Sequence, residues 1–232
     1  MTDTELKEIQ EMPKVILHLH LDGSLRPETI HKWILDGSIE AETIYKWFGK
    51  QAKDVTLEEV KQALMLAKDW RGDLNEYLQK FDLPLECLQK EEHIEQATYE
   101  LFEDLANQNV IYAEVRFAPN LHTRKGLSHK KIVEAAIRGM NKAKAKDVFG
   151  IDGNLILCCM RGADNTISNL QTVAVAKKYL NKGVCALDLA GAEALYPTQE
   201  FIDIFKIAKQ ANIPFTIHAG EAARTRKCKK SN

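Results

Sequence analysis

The chain has 232 residues, 45% of them hydrophobic and 28% charged, and a formal net charge of −1 at pH 7. This is ordinary globular composition with enough apolar material for one sizeable core. It leaves no electrostatic footprint for nucleic acid or an anionic membrane, and no apolar run approaches the length of a membrane span. Residues 1–12 mix acids and polar groups without an apolar h-region, so no secretory signal is read there. Five cysteines (Cys87, Cys158, Cys159, Cys185, Cys228) are odd in number and lack C-x-x-C spacing. They read as reduced, mostly buried thiols, and a cytoplasmic location is expected.

The first element is a strand containing His18-Leu19-His20-Leu21-Asp22-Gly23. Alternation along a strand points His18, His20 and Asp22 one way and Leu17, Leu19 and Leu21 the other. One face is then buryable, and the other carries two imidazoles, the commonest side-chain ligands of zinc. The chain next reads as helices until about residue 108, with a capping box at Thr56-Leu57-Glu58-Glu59 opening a helix through Val60, Leu64 and Ala67. Glu92 to Gln108 carries Ile94, Ala97, Leu101, Phe102 and Leu105 at helical spacing.

A regular rhythm follows. The strands are Val110–Phe117, Leu155–Met160, Val184–Ala190 and Phe215–His218. Between them lie a helix capped by Ser128, one running through Tyr179, and one over Thr198–Ala211. Strands alternating with helices argue for a parallel sheet of βα units. Asp22, Arg116, Arg161, Gly191 and His218 all fall at strand carboxyl ends, where a (β/α)8 barrel builds its active site. Five such strands are found where that barrel has eight, so the residues alone give an α/β fold with a parallel sheet of βα units. His218 is followed by a glycine and then Glu221, so a third imidazole has a carboxylate nearby that can shuttle protons from an activated water.

Two local features stand apart. Residues 21–33 recur at 35–47, with nine of thirteen positions identical. The second copy has Lys32 and Ile34 where the first has His18 and His20, so it reads as an insertion beside the first and not as a second metal site. The tail 224–232 is basic and patternless.

Together these motifs resemble the adenosine deaminase family from about residue 13 to 223. The matching segments are His18-Leu-His20-Leu-Asp22-Gly23-Ser24 with Pro27-Glu28-Thr29, and Tyr112-Ala-Glu114-Val-Arg116-Phe-Ala-Pro119. Asn154-Leu-Ile-Leu-Cys158-Cys-Met-Arg161, Leu187-Asp188-Leu-Ala-Gly191 and His218-Ala-Gly-Glu221-Ala-Ala complete the set in family order. The resemblance implies an α/β fold, an incomplete (β/α)8 TIM-type barrel with about five of eight βα units, and a Zn2+ hydrolase that converts adenosine or deoxyadenosine to inosine or deoxyinosine and ammonia. It implies His18, His20 and His218 as zinc ligands, Glu221 as the catalytic proton donor, Asp22 at the ribose hydroxyl, and His20 as a substrate-binding residue as well. Gly191 would offer its backbone N–H to a purine nitrogen, and zinc would supply hydroxide for attack at C6. The implied partner is a small purine nucleoside, with no nucleic acid or membrane; the oligomeric state is not implied. Iron or cobalt would also suit three histidines. The alternatives are a sister deaminase acting on adenine or AMP, and a non-catalytic product.

The sequence departs from the family at Ala192, where Asp is usual, and lacks the later histidine and paired aspartates of strands six to eight. Residues 1–223 read as the first part of one barrel domain and 224–232 as a non-family tail. With a free choice of third codon positions, the tail read one nucleotide later spells Gly-Pro-Glu-Ser-Val-Lys-Lys-Ala, so a frameshift near residue 223 is expected. Such a chain would expose strand edges at both ends of its sheet and be inactive.

Overall fold

Four strands, β1 (Lys14–His20), β2 (Val110–Phe117), β3 (Asp152–Met160) and β4 (Val184–Ala190), lie parallel in the order β1-β2-β3-β4. They come from a computed structural model that describes residues 2–67, 69–71, 74–146 and 148–220. Helices run between the strands and pack on one face of the sheet: α7 (Glu91–Ala106), α8 (His129–Lys144), α9 (Thr166–Tyr179) and α10 (Ile202–Gln210). That face is apolar because alternate strand residues supply Ala113, Val115 and Phe117, then Leu155, Leu157 and Cys159, then Leu187 and Leu189, all fully buried. The intervening positions, including Glu114, Arg116, Asn154, Cys158 and Asp188, fall on the opposite, inner face. All chemistry-bearing strand residues are thereby collected on one surface.

The helices form where the sequence supplies both an apolar stripe and a start signal. The Ser128 side chain accepts from the Lys131 N–H to open α8, whose Ile132, Val133, Ala136 and Met140 are buried. Thr56 and Glu59 form the expected capping box of α4 (Leu57–Leu64), which stops before Ala67. The repeat yields two further helices, α2 (Pro27–Leu35) and α3 (Ala41–Phe48), which bury the corresponding Ile30 and Ile44. Their preceding aspartates differ in fate. Asp22 is buried, whereas Asp36 is exposed and accepts from the Ser38 N–H. A helix α1 (Asp3–Glu11), not expected from the sequence, precedes β1 and is opened by a Thr2–Glu5 capping box.

Four sequence expectations are corrected in detail. The alternation in β1 is broken by an extra residue: Ile16 pairs with Ala113 but Leu19 with Val115. This bulge puts Ile16 and Leu19 together against the core and leaves Leu17 59% exposed. Asp22 lies beyond the strand, which ends at His20, in a turn where the Ser24 N–H donates to the Leu21 carbonyl. The segment Phe215–His218 pairs with β4 through a parallel bridge between Leu187 and Phe215 without becoming a full strand. The expected helix over 198–211 is a short 3-10 turn, Thr198–Phe201, followed by α10.

The loop after β2 is fastened by His122, which is fully buried and donates from Nδ1 to the Leu88 carbonyl at 3.0 Å. Burial pushes its pKa down to about 4, and the nearby Arg124 charge adds to the effect against the Leu88 bond. The unfolded imidazole titrates near 6.5, so between these values the unfolded chain binds more protons and stability falls as pH drops. The loss should approach about 3 kcal/mol between pH 6.5 and 4, with no further loss from this group below it. Urea unfolding at pH 7 and pH 4 should show this decline in the unaltered chain and a smaller one in His122→Gln. Equal declines would remove His122 as the cause.

Candidate metal centre

β1 delivers His18 and His20, and the segment after α10 delivers His218. The Leu187 N–H donates to the Pro214 carbonyl at 2.9 Å, the Thr216 N–H to Leu187 at 2.9 Å, and the His218 N–H to Leu189 at 3.0 Å. These bonds lay residues 214–218 along β4, at the edge of the sheet opposite β1. The two edges meet across the inner face because the sheet is strongly curled. His18 Nε2 lies 3.2 Å from His218 Nε2, and His20 Nε2 lies 3.3 Å from it.

All three Nε2-bearing rings therefore converge, with their ligand atoms within 4.8 Å of one another. Tetrahedral coordination with nitrogens at about 2.0–2.1 Å from the metal demands nitrogen–nitrogen separations of about 3.3 Å. The two short separations match that demand, and three imidazoles are a suitable donor set for a borderline cation. The residues fit a divalent metal with a further coordination position left for water.

Behind the rings lies a buried ion pair. Asp188, fully buried, faces His218 Nδ1 with both oxygens at 3.0 Å, and Arg116 Nε donates to its Oδ2 at 3.1 Å. Burial alone would push the Asp188 carboxyl up, but the His218 hydrogen bond and the Arg116 charge hold it well below the usual carboxylate range. His20 Nδ1 sits between Arg116 Nη1 at 3.2 Å and Asp22 Oδ1 at 3.9 Å. Burial, reinforced by the Arg116 charge, lowers the His20 pKa to about 3, so that ring is neutral at physiological pH. Burial raises the Asp22 pKa against the opposing effect of Arg116. Asp22 Oδ1 has no hydrogen-bond partner among the described residues.

A cleft of about 340 Å³ opens beside the rings, lined among others by His20, Asp22, Phe81, Arg116, Gly191 and His218. Arg161, at the end of β3, fastens its floor. Its guanidinium donates to the Tyr196 carbonyl at 2.8 Å, Thr198 Oγ1 at 3.0 Å and the His218 carbonyl at 2.8 Å. Glu193 accepts from the Gly220 N–H with both oxygens at 3.1 Å. The structure thus brings together His18, His20, His218, Asp22 and Gly191. Glu221 and the tail 224–232 lie outside the described residues. The sequence marked Arg116 and Arg161 by their place at strand ends and within matching motifs, and Asp188 only as part of a motif, with no role for any of the three. The available signal was a carboxylate at an inward position of an otherwise apolar strand.

The fold and the converging imidazoles define an α/β barrel-type protein with a candidate metal centre. The adenosine deaminase family model matches residues 30–231. An adenosine deaminase of Haemophilus ducreyi is 46% identical over 213 residues, covering 89% of this chain and 57% of the relative. One from Shewanella woodyi is 41% identical over 214 residues, covering 91% and 60% respectively. A crystal structure of an Arabidopsis N6-mAMP deaminase aligns with a TM-score of 0.76 and 27% identity, covering 97% of this chain and 64% of that one. This chain belongs to the adenosine deaminase family. It spans about 57–60% of the length of the curated relatives it matches. Among the described residues no helix is long and apolar enough to cross a membrane.

Gly191 adopts φ +112°, and an added Cβ would lie 3.3 Å from Arg161 Cβ and 3.4 Å from its backbone nitrogen. A side chain there meets both backbone strain and a wall that holds His218. Gly191→Ala should destabilise the chain by about 1–3 kcal/mol, read as a lower melting temperature. An unchanged melting temperature would show that the loop yields without cost.

Proposed function

We propose that this chain carries the zinc- and purine-binding part of a hydrolytic deaminase acting on adenosine or deoxyadenosine. The observation that carries the reading is the convergence of three imidazole Nε2 atoms at tetrahedral spacing beside a cleft that also holds Asp22 and Gly191. His18, His20 and His218 hold the metal, which when bound supplies the Lewis acidity that makes water a nucleophile at neutral pH. Gly191, having no side chain, lets a ring nitrogen approach its backbone N–H. Asp22 Oδ1, buried and unpartnered, accepts from a ribose hydroxyl with His20 alongside. Glu221, three residues beyond His218, donates the proton to the purine nitrogen next to the attacked carbon.

A nucleotide is the second reading, favoured by Arg124 in the cleft wall and by the likeness to the Arabidopsis N6-mAMP deaminase. Arg124 is paired with Glu86 at 3.0 Å, and Asp22 and Asp82 line the same cleft. A dianionic phosphate would meet two carboxylates there and a cation already neutralised. The nucleoside is therefore preferred over the nucleotide.

Calorimetric titration of the chain with zinc should give one site, lost in His18→Ala, and the zinc-loaded chain should bind adenosine roughly ten-fold or more tightly than AMP. Tighter AMP binding would favour the nucleotide reading. His18 is exposed and Val15 and Leu17 are 56% and 59% exposed, so the inner face is open to water. Binding without turnover is expected of this chain alone; conversion of adenosine to inosine by it would overturn that expectation.

A further inference from the structure

The three rings at the candidate metal centre are not held alike. His18 is exposed and takes part in no hydrogen bond from Nδ1 among those described, and its pKa is lowered by burial against the Asp188 charge. His20 Nδ1 has Arg116 Nη1 as its nearest partner at 3.2 Å, and a guanidinium only donates. That contact makes His20 Nδ1 an acceptor and favours the neutral ring's proton on Nε2, which metal binding there must displace. His218 is different: its Nδ1 faces a fully buried carboxylate at 3.0 Å, and an ionised carboxylate only accepts. Nδ1 of His218 carries the proton, and in the neutral ring Nε2 then presents its lone pair toward the other two rings.

We propose that Asp188 is a positioning residue for the metal centre, fixing His218 as the Nδ1–H tautomer, with Arg116 locking the orientation of the carboxylate. The inference rests on the reading of the three histidines as metal ligands. Asp188 stands on β4, Arg116 on β2 and His218 on the segment paired to β4, so the proton position on one ring is set by two strands that are themselves fixed in the sheet. Arg116 Nε holds Oδ2 at 3.1 Å, and the pair is nearly inaccessible to water, with side chains 4% and 0% exposed. No water competes for the carboxylate, and rotation about the Asp188 side chain would break the ion pair.

The geometry makes a sharp distinction between a carboxylate and its amide. In Asp188→Asn the amide oxygen is drawn to the donor Arg116 Nε, which turns the amide NH2 toward His218 Nδ1. An NH2 in the Oδ1 position, 3.0 Å from Nδ1, donates, which favours Nδ1 as acceptor and moves the proton toward Nε2, where metal binding must displace it. Volume and packing are nearly unchanged, so a residue that only filled space would show no such effect. Carboxylate partners of metal-bound imidazoles commonly contribute 10–100-fold to metal affinity, and an aspartate-to-asparagine change next to a histidine is known to act through the wrong tautomer.

Long-range 1H–15N correlation spectra of the metal-free, 15N-labelled chain report the His218 tautomer directly and need no variant. The proposal expects Nδ1–H in the unaltered chain and Nε2–H in Asp188→Asn, with zinc affinity in the variant about 10–100-fold weaker by chelator competition. A mixed or Nε2–H tautomer in the unaltered chain overturns the proposal, as does a folded Asp188→Asn chain that binds zinc as tightly as the unaltered one. If Asp188→Asn fails to fold, the spectrum of the unaltered chain decides alone. If the unaltered chain binds no zinc, the metal-centre reading fails, while the tautomer still decides whether Asp188 sets the proton on His218.

Discussion

The curl of the parallel sheet is the constraint on which the site depends. His18 and His218 are 200 positions apart in sequence and sit on opposite edges of the sheet, yet their Nε2 atoms are 3.2 Å apart. A flat sheet would hold those edges several strand spacings apart, since neighbouring strands lie about 4.8 Å from one another. Curvature toward a barrel closes the distance across the inner face. Three main-chain hydrogen bonds between residues 214–218 and β4 then fix the height of His218 against the end of β1. The helices supply the force for this arrangement by covering the outer, wholly apolar face, while the inner face is left to polar groups.

Collecting polar groups on the inner face has an electrostatic cost, met by pairing. Asp188 and Arg116 are both withdrawn from water, and removing either would leave the other as a buried, uncompensated charge. Their shared contacts with His218 and His20 turn that necessity into order at the rings. Asp22 is the exception, a buried carboxylate with one oxygen unpartnered among the described residues. An unsatisfied buried acceptor is expensive, and it faces the cleft, where a hydroxyl-bearing ligand would satisfy it. Arg161 applies the same economy one layer further out by tying the chain after β4 to the carbonyl of His218.

Much of this was legible before any coordinates. β2 and β4 run over the expected residues because each is a predominantly apolar stretch of strand length with its ends marked by turns. The pair His18 and His20 survives as a pair because residues two apart share a side even next to a bulge. The bulge itself was invisible, since Ile16, Leu17 and Leu19 are all apolar and any two of them could have faced the core. The two copies of the repeat are nearly identical in sequence; only the histidines before the first copy distinguished buried Asp22 from exposed Asp36. Asp188 and Arg116 could not be paired from sequence, because 72 residues separate them and only the register of β2, β3 and β4 sets them side by side.

Zinc K-edge X-ray absorption on the chain loaded with one equivalent of Zn2+ reads whether the three imidazoles hold one metal. Ligation by His18, His20 and His218 gives imidazole scattering with zinc–nitrogen distances of about 2.0–2.1 Å and no sulfur shell. A sulfur shell at about 2.3 Å, or a purely oxygen environment without the multiple-scattering signature of imidazole, would contradict it.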